Sequence, residues 1–319
     1  MLQIGNIRIE SSLLLAPLAG ITDLPFRMIN REHGCQFAFI EMISARSLVY
    51  QSSKTLRMIA STDEDRPLGI QLLGNEIPVL EKAVDLLSGL RFDLIDFNAA
   101  CPVQKVTGKN EGAALLKDPP FLGKILKALV ERAACPVTLK IRSGWNERSI
   151  NAADVARYAE DAGISSLCIH GRTREQGYSG DVDYDAIAKV KQAVAIPVIG
   201  SGNALSPALI KKMLDETGCD GVSIARGSLG NPWIFREAEE FLRSGTLLKR
   251  PPATEIREVM LRHLDANIHY YGEKHGTMTF RKFFSWYTKS LNNIKRLRER
   301  SFHAETRDEM AGLVSQVAD

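Results

Sequence analysis

Cys101, Asn98, Gln71, Lys140, Arg142 and His170 are the residues of this 319-residue chain whose types could do chemistry together. A thiol can donate a proton, and an ordinary one, with a pKa of about 8.5, stays mostly protonated at neutral pH. Lys140 and Arg142 stand two apart in the run "PVTLKIRSG". On a strand they point to one side, and a buried lysine there needs an anionic or polar partner. Asp96 could be that partner in a structural ion pair, and an anionic ligand is the alternative. Arg226 in "ARGS" supplies a forked cation, the glycines of "GSGN" allow close backbone approach, and Ser206-Pro207 suits an N-cap and first helical position. Together these make a phosphate site. A phosphate site with a lysine some distance away suits a phosphorylated planar cofactor such as flavin mononucleotide (FMN). A phosphosugar would fit the phosphate site equally well.

Eight short apolar runs bounded by turn residues must position these groups: Leu13–Ala16, Phe37–Met42, Leu68–Leu73, Leu94–Asn98, Val137–Arg142, Leu167–His170, Val198–Gly202 and Val222–Ala225. Amphipathic stretches of helical length alternate with them, among them "VLEKAVDLLSGL", "FLGKILKALVERA" and "SPALIKKMLDETG". This order requires a parallel sheet, and eight units predict an α/β fold, a closed (β/α)8 TIM barrel, over residues 1–243. A doubly wound open sheet is the runner-up, but Pro17 and Leu18 follow the first strand where its Gly-x-Gly-x-x-Gly would stand. The opening "IGNIRIE" reads as a hairpin that plugs the barrel floor. After "TLLKRPPAT", with Thr254 as N-cap, no strand pattern appears, so residues 251–319 are expected to form an all-helical unit.

In such a barrel the active site lies on the loops after the C-terminal strand ends. Among the cysteines only Cys101 occupies such a loop. Cys35, Cys135 and Cys219 precede strands and Cys168 lies within one, so these four read as small buried hydrophobes. Cys101 opens "CPVQKVTGKNEGAALLKDP", part of the longest interval between strands, which reads as a lid.

Composition is that of an ordinary soluble protein, 45% hydrophobic and 25% charged. The apolar stretch 13–19 is too short to span a bilayer, and a cytoplasmic location with no membrane association is expected. The five cysteines form no CxxC pair, so neither a zinc site nor a disulfide framework is expected. Net charge is only +3, yet residues 274–300 hold eight lysines and arginines against the single acidic Glu299. That concentration could contact RNA phosphates, or could be a solvated helix face. Phe280, Phe283, Phe284 and Tyr287 fall at helical spacing and read as a buried stripe, with Lys282 and Lys289 facing outward.

The motifs "LLLAPLAGITDLPFR", "QLLG", "DFNAACPVQKV", "GAALLKDP", "VTLKIRSGW", "IHGRTREQGYSG", "VIGSGN" and "ARGSLGNPWIF" resemble, in order, those of the tRNA-dihydrouridine synthases, most closely the bacterial B-type enzymes. The resemblance implies an FMN-dependent barrel with a helical tRNA-binding domain, reducing a D-loop uridine in tRNA at the expense of NADPH. On this chain it places the flavin against Ala16, Pro17 and Leu18, with Gln71 and Lys140 at the ring edge and His170 nearby. Ser201, Gly202, Asn203, Ala225 and Arg226 would hold its phosphate. Asn98, Arg142 and Tyr178 would hold the uracil, and Cys101 would be the proton donor. Asn203 and Ala225 depart from the acidic residue and glycine common at those positions. Two other readings are a flavin oxidoreductase acting on a free pyrimidine or another small conjugated substrate, and a non-catalytic RNA-binding protein on a retired barrel.

Overall fold

The computed structural model describes residues 1–318 apart from Ser290 and Asn292. Those two positions of the basic stretch, and Asp319 at the end of the expected helical unit, lie outside the described residues. Gly5-Asn6 turns β1 (Leu2–Ile4) back as β2 (Ile7–Ile9) in an antiparallel hairpin. Eight parallel strands then close on themselves: β3 (Leu13–Leu15), β4 (Phe37–Ser44), β5 (Leu68–Leu73), β6 (Leu94–Ala99), β7 (Val137–Arg142), β8 (Ser166–His170), β9 (Val198–Ser201) and β10 (Gly221–Ile224), with β10 pairing β3. The expected runs end within two residues of these strands. Barrel strands are covered on both faces, which is why they read as near-continuous apolar runs.

Helices α1 (Leu24–Glu32), α2 (Ala45–Val49), α3 (Ser53–Met58), α4 (Ile77–Ser88), α5 (Gln104–Thr107), α6 (Pro119–Arg132), α7 (Ala152–Asp161), α8 (Tyr184–Ala193), α9 (Pro207–Thr217) and α10 (Ile234–Ser244) lie between and after the strands. Their apolar faces, such as Leu122, Ile125, Leu126 and Leu129 on α6, join the outward side chains of the strands in the main core. A second cluster fills the barrel floor, where Leu2, Ile4 and Ile9 of the hairpin meet Leu14, Phe37, Phe39, Leu94 and Ile199. The hairpin is the plug its alternation suggested. Ser206 caps α9, its hydroxyl accepting from the Leu209 N–H at 3.3 Å, with Pro207 in the first turn.

Gly245, in a left-handed conformation, ends α10. Helices α11 (Ala253–Tyr271), α12 (Glu273–Tyr287), α13 (Lys295–Ser301) and α14 (Arg307–Val314) follow. Helix α11 starts at Ala253 with Pro252 in the cap position, so Thr254 is inside the helix rather than its cap. Phe280, Phe283, Phe284 and Tyr287 form the expected buried stripe of α12. Phe283 stacks on Phe26 of α1 at 5.5 Å between centroids, and buried His263 of α11 meets the hydroxyl of Tyr287 through Nδ1 at 3.1 Å. Lys289 is exposed as expected, but Lys282 turns inward and donates to the carbonyl of Gly20, in the loop between β3 and α1. Its position on α12 beside Phe283 brings it over the barrel rim, where Asp23 and Glu41 add favourable charge. Among the described residues no helix is long and apolar enough to cross a membrane.

Candidate active site

The loops after the C-terminal strand ends enclose a cavity of about 370 Å³. It brings together every residue that the resemblance assigned to the flavin, the uracil or the proton: Ala16, Pro17, Leu18, Gln71, Asn98, Cys101, Lys140, Arg142, His170, Tyr178, Ser201, Gly202, Asn203, Ala225 and Arg226. Sheet register explains the convergence. Asn98 pairs with Lys140 and Lys140 with Cys168, while one layer higher Arg142 pairs with His170 and His170 with Ser201. Neighbours in a parallel barrel at the same height point to the same side, so polar residues at strand ends become one ring.

One end of the cavity is built by the loops after β8, β9 and β10. Gly202 has φ +120° and Asn203 φ +51°, and a Cβ on Gly202 would lie 3.0 Å from Cδ2 of His170, so this turn needs glycine. The side-chain oxygen of Asn203 accepts from Arg172 at 3.1 Å and from Arg226 at 3.3 Å. Arg172 was missed from the sequence, although it stands two residues after His170 in "IHGRTREQ". It is buried, and also donates to the carbonyls of Ser179 and Gly180 and meets Nε2 of His170 at 3.3 Å. Two guanidiniums thus share one neutral oxygen; among the described residues no Asp or Glu lines the cavity, although Asp181 is near enough to Arg172 to add favourable charge. Burial first, and then Arg226, lowers the hold of Arg172 on its proton.

In the centre, Nζ of Lys140 lies 3.1 Å from Sγ of Cys168. Cys168 is therefore a polar partner inside the barrel and not the inert filler expected of it; Cys135 is also only partly buried, whereas Cys35 and Cys219 are buried as expected. The ion pair between Lys140 and Asp96 is not formed, because the Asp96 oxygens accept from Gln71 at 2.6 Å and Thr138 at 2.7 Å. Burial pushes His170 down to about 2, helped by Arg142, Lys140, Arg172 and Arg226, so its ring is neutral at physiological pH. Since Arg172 can only donate, Nε2 accepts and the ring proton resides on Nδ1.

Cys101 defines the other end. Its N–H and that of Ala100 both donate to Oδ1 of Asn98 at 2.9 Å, and its carbonyl accepts from Ala113 at 3.1 Å. Gly112, at φ +59°, makes this fold-back possible, since a Cβ there would lie 2.9 Å from the Cys101 carbonyl. The second half of the stretch read as a lid is therefore packed in place, while residues 103–105 and 108–110 are exposed. That second half, a 3-10 turn over Gly112–Lys117, buries Ala113, Leu115 and Leu116 in the core. Burial raises the Cys101 thiol above its ordinary range, and the nearby Arg142 offsets this only in part. Arg142 donates Nε to the carbonyl of Ala100 at 2.7 Å and Nη1 to Thr173 at 3.0 Å and Gly177 at 2.7 Å. Tyr178, 61% exposed, stands at the mouth, 5.5 Å from the guanidinium of Arg142 and 5.8 Å from that of Arg226. Met42, Ile21, Leu205 and Leu229 complete the apolar walls; nothing in their local sequence distinguishes them from core residues.

The model of the dihydrouridine synthase family matches residues 14–318. The tRNA-dihydrouridine synthase B of Pseudomonas aeruginosa is 38% identical over 99% of this chain and 95% of its own length. That of Pseudomonas syringae pv. tomato is 40% identical over 93% and 88%, and the probable tRNA-dihydrouridine synthase of Rickettsia conorii 37% over 93% and 90%. Among solved structures, the 6-hydroxypseudooxynicotine amine oxidase of Pseudomonas geniculata N1 aligns with a TM-score of 0.62 at 15% identity, over 86% of this chain and 55% of that one. This second likeness concerns the barrel fold alone. The ring of polar groups at the barrel mouth and the match over nearly the whole chain agree: this protein belongs to the dihydrouridine synthase family of flavin-dependent oxidoreductases.

Proposed function

We propose that this protein reduces uridine in the D-loop of tRNA to dihydrouridine in the cytoplasm, with FMN as bound cofactor and NADPH as reductant. One observation carries the reading: a single cavity has two arginines converging on a neutral oxygen at one end, a lysine at its centre and a protonated thiol at the other. The donor set fits FMN. Asn203, Arg226 and the Ser201-Gly202 turn would hold the phosphate, backed by Arg172, and Ala225 would close that loop. Ala16, Pro17 and Leu18 would form the wall beside the ring, with Gln71 and Lys140 at its polar edge and the Nδ1–H of His170 as a neutral donor.

When bound, the reduced flavin supplies the hydride that adds to C6 of the uracil. Negative charge then builds on C5 and the C4 oxygen. Cys101 holds a proton on Sγ because burial disfavours its thiolate, and it delivers that proton to C5. Tyr178 would stack on the extruded base. Nη1 and Nε of Arg142 are held by carbonyls and the guanidinium also has Tyr178 as a hydrogen-bond partner, whose place a uracil oxygen would take. Asn98 is nearly saturated, its Nδ2 facing Gln71 at 2.7 Å and the Met42 sulfur at 3.2 Å, so a uracil oxygen would replace the weak sulfur acceptor.

Residues 251–319 would be the tRNA-binding unit beside a barrel of residues 1–243. Three of the eight cations in 274–300 hold carbonyls instead: Arg281 that of Ala304, Arg298 that of Thr288, and Lys282 that of Gly20. Lys274 pairs with Glu305 at 3.0 Å, and exposed Lys289, Lys295, Arg296 and Arg300 remain for phosphates. Mapping dihydrouridine in tRNA from cells lacking this protein tests the reading, with loss of the base at a D-loop position expected. Reduction of free uridine as fast as tRNA by the purified enzyme would instead favour a small-molecule reductase.

A further inference from the structure

A continuous line of buried polar groups runs beneath the cavity. The hydroxyl of Thr138 donates to Oδ1 of Asp96 at 2.7 Å, and Nε2 of Gln71 donates to Oδ2 of Asp96 at 2.6 Å. Nδ2 of Asn98 donates to Oε1 of Gln71 at 2.7 Å, and Oδ1 of Asn98 accepts the N–H groups of Ala100 and Cys101 at 2.9 Å. All four side chains are buried, from 1% exposed at Gln71 to 6% at Asn98. Gln71 and Asn98 are amides, whose two ends are nearly isosteric, so nothing in their own shape fixes which end faces which neighbour.

The base of the Cys101 loop removes that freedom. The N–H groups of Ala100 and Cys101 can only donate, so Asn98 must turn its oxygen toward them and its NH2 toward Gln71. Gln71 must then turn its oxygen toward Asn98 and its NH2 toward Oδ2 of Asp96, which ends the line as its acceptor. Reversing the line would set an NH2 against two N–H donors in a buried place, leaving those groups unsatisfied. Asp96 makes no ion pair among the described residues; burial raises its pKa, and the hydrogen bonds from Gln71 and Thr138 and the charge of Lys140 oppose that.

We propose that Asp96 is a positioning residue: it is the terminal acceptor that the polarity of the Gln71–Asn98 amide chain requires, and so holds both the polar edge offered to the cofactor and the placement of Cys101. Thr138 is its second support, and the two together are redundant in a specific way. With Asp96→Asn, the new amide can keep its oxygen toward Gln71 if its NH2 finds an acceptor, and the Thr138 hydroxyl can reverse from donor to acceptor. With Thr138→Val alone, Asp96 still accepts from Gln71. Only in the double variant does every orientation leave a buried donor unmet.

This rests on the functional reading above, and its test is separable from it. The holoenzyme and the variants Asp96→Asn, Thr138→Val and Asp96→Asn/Thr138→Val are treated with iodoacetamide, and alkylation at Cys101 is followed by peptide mass spectrometry against pH. Each single variant is expected within about 3-fold of wild type, and the double variant about 10- to 100-fold faster at neutral pH as the loop base loosens and the thiol titrates lower. Flavin reduction by NADPH should change less than about 3-fold throughout, while transfer to tRNA falls about 10- to 100-fold in the double variant alone. Strict additivity of the two substitutions, or an unchanged Cys101 profile in the double variant, overturns the proposal. A wild-type enzyme that leaves tRNA uridine unreduced would overturn the functional reading and not this one, because alkylation reports the relay without turnover.

Discussion

The two ends of the cavity handle charge in opposite ways. Where Arg172 and Arg226 converge on Asn203, positive charge is gathered around a neutral oxygen, with Asp181 adding favourable charge to Arg172 from outside the cavity lining. Around Cys101 the nearest cation, Arg142, is turned onto three carbonyls, and the groups touching the cysteine backbone are a neutral amide and an N–H. The first arrangement suits an anion that stays. The second keeps a proton on sulfur, because a bare cation beside the thiol would favour thiolate. Binding and proton delivery need contrary fields, and distance along the barrel mouth separates them.

Removing the proposed proton donor gives the largest expected effect. Cys101→Ala should retain flavin and its reduction by NADPH while uridine reduction falls at least about 100-fold, the scale of a lost general acid. Stopped-flow oxidation of the reduced enzyme by tRNA measures it. Normal turnover in this variant would erase the contrast between the two ends.

At the other end, Arg226→Ala removes one exposed cation without opening the core. FMN affinity should weaken about 10-fold or somewhat more, as for a charge-assisted hydrogen bond to phosphate. Flavin fluorescence titration reads the loss, and the variant resaturated with FMN should show an unchanged Cys101 alkylation profile. A simultaneous change at Cys101 would mean that the ends are coupled rather than separate.

A third contrast lies within the basic stretch. Lys295→Gln/Arg296→Gln should weaken tRNA binding about 10-fold at moderate salt and flatten the salt dependence by about two charges. Arg298→Gln should instead lower thermal stability, since Arg298 also contacts the Thr288 hydroxyl at 3.0 Å. Filter binding across salt concentrations and a melting curve distinguish the two outcomes.

Much of this division was legible in the sequence for a physical reason. Parallel barrel strands are apolar along their length, so a lysine, arginine, histidine or asparagine near a strand end stands out, and Asn98, Lys140, Arg142 and His170 were found that way. What escaped depended on contacts made across the fold. Lys140 meets Cys168 rather than Asp96 because β7 and β8 pair those residues in register while Gln71, the register partner of Asp96 on β5, takes its carboxylate. Arg172 follows a strand in a loop, and only the return of that loop brings it to Asn203. Lys282 looked solvent-facing from helical spacing alone; the docking of α12 beside α1 turns it onto Gly20.

The smallest effect expected is that of pH, and its shape discriminates between the acid groups. His170, held near 2 by burial and four cations, stays neutral at any pH the folded enzyme meets and contributes no titration between about pH 5 and about pH 8. Burial raises the Cys101 thiol, and in the proposed reaction its protonated form is the competent one, so activity should be fully present below its pKa and lost as pH rises through it. The rate of tRNA reduction by the pre-reduced enzyme should therefore be flat from about pH 6 to about pH 8 and fall only above the ordinary thiol range of about 8.5. Single-turnover rates across that span measure it. A decline near pH 6.5 would transfer the proton to an imidazole and leave Cys101 with a positioning role.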